Sequence, residues 1–173
     1  MKRKIILYIA ISLDGFIARK DGSVDWLSPY ENTEEDYGYK EFYDSVGTVV
    51  MGNTTYKGFG EYYRDKPCFV FSRVRKGNDG NATFVNGDME ESMKKINSTG
   101  TKNIWLVGGG EVIDAFLRHD LIDELIISII PTILGEGIPL FKGGSDENQL
   151  DLRSVKRYDS GLVQAHYEIK HQK

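Results

Sequence analysis

A chain of 173 residues, 40% hydrophobic and 28% charged, can bury a core of its own and fits a single domain spanning residues 1–173. Its net charge of −4 supplies no field that would gather nucleic acid or an anionic membrane, and a lone cysteine, Cys68, excludes an internal disulfide framework. Lys2, Arg3 and Lys4 precede an apolar run, but Ser12, Asp14 and Gly15 end it early, so neither a signal peptide nor a membrane span is expected and the expected location is the cytoplasm.

In chain order, Ile5 to Leu13 is a near-continuous apolar run closed by Asp14-Gly15, which predicts a buried central strand and a turn. Asp21-Gly22-Ser23 and the acidic stretch Glu31 to Asp36 read as loop. Tyr39, Phe42, Tyr43 and Val46 recur at i, i+3, i+4 and i+7, a one-faced helix that Gly47 stops. Thr48 to Met51 then predicts a short strand, after which Thr54 or Thr55 can cap a short helix. Cys68 to Phe71 is a further strand. Asp88-Met-Glu-Glu91 opens a helix running to about Ile96. Ile104 to Val107 is a strand ending in three glycines, and the helix behind it carries Val112, Ile113, Phe116 and Leu117 on one face. Leu125 to Ile130 is another buried strand, and Asp159-Ser-Gly161 joins Ser154–Tyr158 to Leu162–Ile169 as a hairpin. Strands alternating with helices imply an α/β fold, a mostly parallel sheet covered on both faces with an antiparallel hairpin at one edge.

Two features occupy one structural position, the carboxyl end of a buried strand entering a helix, where ligands sit in open α/β sheets. In Val107-Gly108-Gly109-Gly110-Glu111 the missing side chains let a phosphate approach backbone N–H groups in front of a helix amino end. Met51-Gly52-Asn53-Thr54-Thr55 offers the same geometry with added hydroxyls. Either turn alone serves equally as a plain strand-to-helix connection, and neither matches Gly-x-Gly-x-x-Gly or a Walker loop. Together, on neighbouring strands, they suit a pyrophosphate and hence a dinucleotide. Ser72-Arg73-Val74-Arg75-Lys76, at the end of the Cys68–Phe71 strand, reads either as a solvated basic loop or as a seat for the 2′-phosphate that separates NADPH from NADH, with Arg73 nearest the strand end.

These residues carry a resemblance. Ser12–Ala18, Val50–Tyr56, Leu106–Glu111 and Pro131–Phe141, in that order, resemble the dihydrofolate reductase superfamily, and most nearly the reductase domain of the bifunctional riboflavin-biosynthesis deaminase-reductase, here in stand-alone form. The resemblance implies the three-layer dihydrofolate-reductase-like fold. It also implies NADPH held by Gly52, Thr54 or Thr55 and Gly108 to Gly110, with Ser72 and Arg73 at the 2′-phosphate. Ala10 and the loop from Asp14 through Gly15 to Ile17 would border the nicotinamide. Two positions depart from dihydrofolate reductases, which carry arginine where this chain has Asn53 and again where it has Lys66. The second arginine grips the folate tail as a carboxylate fork that lysine cannot form, which argues against folate.

Asp36 lies at the offset from Met51 where dihydrofolate reductases carry their single acid. A carboxyl buried there beside Tyr37 and Tyr39 could stay protonated and serve as donor, or the acidic run could simply complement a helix start. Asp14 is either an acceptor-side carboxylate or the turn partner of Gly15, and Trp26 either lies over a flat heterocycle or fills core. His119, His166 and His171 lack metal-ligand spacing, so no metal is expected. Ile126 to Ile133 is apolar enough for a central strand or a partner surface, and the resemblance implies a homodimer. The expected function is an NADPH-dependent reductase of a small pterin- or pyrimidine-like heterocycle; the alternative is an NADPH-binding module of the same fold without turnover.

Overall fold

The eight residues IILYIAIS of the first strand alternate between two cores. Ile5 and Leu7 pack with Ile96, Ile113 and Phe116 on one face, whereas Ile6 packs with Phe42 and Trp105 on the other. A strand buried on both faces needs helices on both sides of its sheet, and the rest of the chain supplies them.

The computed structural model describes residues 2–171. The strands are β1 (Ile5–Ser12), β2 (Phe16–Ala18), β3 (Val46–Gly52), β4 (Cys68–Phe71), β5 (Gly77–Asp79), β6 (Ala82–Val85), β7 (Asn103–Gly108), β8 (Glu124–Ile130), β9 (Ile138–Pro139), β10 (Leu150–Arg157) and β11 (Val163–Ile169). The helices are α1 (Tyr39–Ser45), α2 (Asn53–Phe59), α3 (Met89–Asn97) and α4 (Gly110–Arg118), with 3-10 turns at Asp25–Tyr30 and Gly60–Tyr63. One nine-stranded sheet runs β10-β11-β8-β1-β7-β3-β4-β6-β5, and β2 pairs with β9 in a separate ribbon. The stretch from β8 to β6 is parallel, and β10–β11 and β5 are the antiparallel additions at its two edges. Three layers result, with α3 and α4 contributing to one core and α1 and α2 packing against the other.

Two local expectations change. Val46 does not extend α1; its β-branched side chain is fully buried and it opens β3 opposite Asn103. Neither Thr54 nor Thr55 caps α2, because Gly52 is the N-cap and both threonines lie in the helix's first turn. Of the Ile126–Ile133 run, Ile126 to Ile130 is the central-strand part, in β8 between β11 and β1, whereas Ile133 lies beyond the strand and is exposed. The capping expectation at Asp88 holds, its carboxylate accepting from Glu91 N at 3.1 Å. Cys68 is buried among Val49, Val70 and Ala82, and burial pushes its thiol up to about 12, as befits a core residue.

Candidate functional site

The two glycine turns lie at the carboxyl ends of adjacent parallel strands, β3 and β7, with Met51 paired to Gly108. They touch. A Cβ placed on Gly52 would sit 3.1 Å from Val112 Cγ2 and 3.8 Å from Gly109 N, and one on Gly109 would sit 3.3 Å from Thr55 Oγ1. Gly108 has φ +130, a conformation that side-chain-bearing residues rarely adopt, and the Gly108–Gly109 peptide is cis. Behind this turn α4 begins at Gly110, with Glu111 in its first turn and Val107 half-buried in front. In the other turn the buried amide oxygen of Asn53 has no hydrogen-bond partner among the described residues. A side chain-free cradle fits a dinucleotide's phosphates, and the unsatisfied amide oxygen beside it fits a donor such as a ribose hydroxyl.

The basic segment after β4 divides. Ser72 is buried, and its hydroxyl accepts from Val74 N at 3.3 Å and Arg75 N at 2.9 Å, which fixes the turn. Arg73 projects toward α4, with Nη2 3.3 Å from Glu111 Oε2. Arg75 turns away, stacking 3.9 Å over the Phe84 ring and pairing with Asp79 at 3.2 Å. Arg73 alone of the two therefore faces the glycine turns.

Asp14 is engaged as a brace. Its carboxylate accepts from Ser12 Oγ at 2.6 Å, Leu134 N at 3.1 Å and Gly135 N at 2.7 Å. Gly15, at φ +88, accepts through its carbonyl from Leu140 N at 2.9 Å. With the β2–β9 pairing of Phe16 to Pro139 and Ala18 to Ile138, these bonds stitch the loop after β1 to the Pro131–Phe141 segment. That segment in turn lies 3.5 Å, through Pro139 O, from where a Cβ on Gly110 would be. The Ser12 hydroxyl, followed by the Leu134 and Gly135 amides, holds the Asp14 carboxyl below its usual range. A carboxyl lowered by folding contributes its brace fully above the ordinary value of about 3.9 and loses it as pH falls through the lower folded value. Hydrogen exchange at Leu134 and Gly135, corrected for intrinsic rate, should thus be flat from neutral pH to about 4.5 and rise only below. Asp14→Ala should show the raised rate at pH 7.

On the α1 side of the sheet, Ala10, Ser128 and Gln164 pair across β1, β8 and β11 and form one row. Gln164 Nε2 donates to Ser128 Oγ at 3.1 Å and to Tyr37 O at 3.2 Å. Tyr8, two residues before Ala10 on the same face, donates to Tyr37 O at 3.4 Å, and burial raises its phenol to about 12. Trp26 is 6% exposed and packs with Ile130, Tyr158 and Leu162, next to Ala10, so its ring is core; its indole N–H is left without a partner. The expected buried acid is not found. Asp36 is exposed, lies before α1 rather than on it, and accepts from Gly38 N at 2.9 Å and Lys40 N at 3.3 Å, because the chain needs those donors satisfied where it enters the helix. Lys66 is committed elsewhere, donating to Val46 O at 2.9 Å and lying 4.2 Å over the Tyr43 ring. Ser128 and Gln164 are not among the residues the sequence singles out; the single polar residue inside the aliphatic run of β8 is the available signal.

Among the described residues no helix is long and apolar enough to cross a membrane. A sequence profile of the RibD C-terminal domain matches residues 3–164. The uncharacterized protein YwjB of Bacillus subtilis (strain 168) is 42% identical, over 96% of this chain and 98% of its own. The crystal structure of a candidate riboflavin biosynthesis protein from Shewanella sp. PV-4 superimposes with a TM-score of 0.85 at 30% identity, covering 97% of this chain and 99% of that one. A diaminohydroxyphosphoribosylaminopyrimidine deaminase/5-amino-6-(5-phosphoribosylamino)uracil reductase from Thermotoga maritima shares the fold, with a TM-score of 0.75 at 16% identity over 98% of this chain and 57% of that one. Sheet order, paired glycine turns and profile agree: the chain belongs to the RibD C-terminal domain family and has its dihydrofolate-reductase-like α/β fold.

Proposed function

We propose that the chain is an NADPH-dependent reductase passing hydride to a small, flat heterocycle of pyrimidine- or pterin-like chemistry. The observation that carries this reading is the contact between the two glycine turns at the ends of β3 and β7, with Arg73 facing them from the neighbouring strand end. Membership of a family whose Thermotoga maritima relative bears a reductase name supports it. When bound, the cofactor supplies the hydride. Gly52 and Gly108 to Gly110 admit its pyrophosphate to backbone donors, with Asn53, Thr54 and Thr55 contributing side-chain polar groups. Ser72 shapes the turn that presents Arg73 to the 2′-phosphate. Ala10 and Gly15 border the nicotinamide, and Asp14 holds that border in place through Leu134 and Gly135. Ser128, Gln164 and Tyr8 supply the polar edge against which an acceptor is oriented, beside Tyr37, with Trp26 and Tyr158 packed as core behind it. Asp36, exposed to solvent, is assigned to proton supply through water; unchanged turnover in Asp36→Asn removes that role.

Fluorescence titration should give NADPH binding at least about tenfold tighter than NADH, with Arg73→Ala abolishing the preference. NADPH oxidation is then followed across a panel of pyrimidines, dihydropterins and folates. Binding without oxidation on any of them would mark a binding module; binding of neither dinucleotide would sink both readings. A homodimer is part of the proposal: the edge strand β10 exposes Leu150, Leu152 and Val155, a surface suited to a second copy. A monomeric mass by light scattering would remove it.

A further inference from the structure

Glu111 is the second residue of α4, directly after Gly108-Gly109-Gly110. Its Oε2 lies 3.3 Å from Arg73 Nη2 and its Oε1 lies 3.9 Å from Lys142 Nζ. The three groups come from three segments: the exit of β4, the first turn of α4, and the stretch after β9. Lys142 runs along the helix start, its Cε 3.5 Å from where a Cβ on Gly110 would be.

Cations are disfavoured at the positive end of a helix unless an anion accompanies them. Here one carboxylate faces two cations and the helix end, so the cluster keeps a positive surplus. That carboxylate engages Arg73, the group assigned to the 2′-phosphate, whereas the glycine cradle beside it is assigned to the pyrophosphate. We infer that Glu111 is an internal place-holder for the cofactor's phosphate, competing with it for Arg73 and thereby setting how strongly the chain prefers a phosphorylated dinucleotide. The inference rests on the NADPH reading above.

A phosphate monoester carries up to two charges and three acceptor oxygens, so it outbids a single carboxylate for a guanidinium. Glu111 can yield without disturbing the core, because its side chain is 71% exposed. An exposed ion pair is weak, so the competition tunes affinity rather than blocking entry. Arg73 is held toward α4 before the ligand arrives, and the same contact makes NADPH binding depend on a residue that never touches the phosphate.

The test compares wild type with Glu111→Gln by calorimetric titration against NADPH, NADH and adenosine 2′,5′-bisphosphate, with melting curves run alongside. The variant should bind NADPH and the bisphosphate about two- to fivefold tighter, and NADH with the same affinity as wild type within error. The gain should vanish in the Glu111→Gln, Arg73→Ala double variant and shrink in high salt. No gain, a loss, or an equal gain for NADH overturns the inference. Wild-type binding of NADPH without the gain overturns it alone; absence of binding to all three probes in every variant overturns the NADPH reading with it.

Discussion

Gly109→Ala is expected to weaken dinucleotide binding by about 30-fold or more, roughly 2 kcal/mol, while lowering the melting temperature by only a few degrees. The backbone at Gly109, φ −78 and ψ −166, is open to any residue, so the substitution asks nothing new of the chain's conformation. What it changes is space. The added methyl would sit 3.3 Å from Thr55 Oγ1, inside the contact between the two turns, and a flexible side chain can give by the few tenths of an ångström required. A phosphate held by both turns has no such freedom, because its oxygens must approach the backbone donors that the methyl now covers. Gly108→Ala separates the two effects. At φ +130 any side chain is strained, so that variant should lose about 1–3 kcal/mol of stability as well as ligand. Equal affinity in Gly109→Ala and wild type, measured by NADPH titration, would mean that the turns do not share a ligand.

How far the sequence carried the description depends on where each signal is stored. Parallel strands buried on both faces read as continuous apolar runs, so β1, β4, β7 and β8 were legible. The start of α3 was legible too, because Asp88 satisfies a donor only three residues away. β5 was not: its residues Gly77 to Asp79 are exposed and carry no pattern, and only the pairing with β6 makes them a strand. The ribbon of β2 with β9 joins five residues more than a hundred positions apart. The glycine turns belong with the legible features, since composition shows where a backbone is bare. Asp36 does not, because an offset along the chain fixes neither burial nor direction, and its carboxylate went to the nearest free N–H groups. Ser128 and Gln164 meet only through the β8–β11 register, and Arg73 meets Glu111 across 38 positions. Such pairs exist in the fold and have no local trace.

Arg3→Ala is expected to destabilise the fold by about 3 kcal/mol and lower the melting temperature by about 6–12 °C. Arg3 is only 9% exposed, and its hydrogen-bond partners among the described residues are not carboxylates. Its guanidinium donates instead to three neutral acceptors: Lys102 O at 2.6 Å, Ile96 O at 2.7 Å and Thr48 Oγ1 at 2.6 Å. Those acceptors belong to the approach to β7, the last turn of α3 and the amino-terminal part of β3, so one side chain ties three elements to the start of β1. The carbonyl at Ile96 also lies at the negative end of α3, where a cation is favoured. Alanine would leave the fully buried Thr48 hydroxyl with its contact to Thr99 alone, at 3.3 Å, and would open a void where the guanidinium lay. Lysine should recover only part of the loss, because one ammonium cannot span three acceptors arranged for a planar fork. The clamp sits at the amino ends of the strands, opposite the glycine turns, so NADPH affinity measured well below the transition should be unchanged in both variants. Chemical denaturation of Arg3→Ala within about 0.5 kcal/mol of wild type would show that water replaces the guanidinium at no cost, and that the three elements are held by their apolar contacts alone.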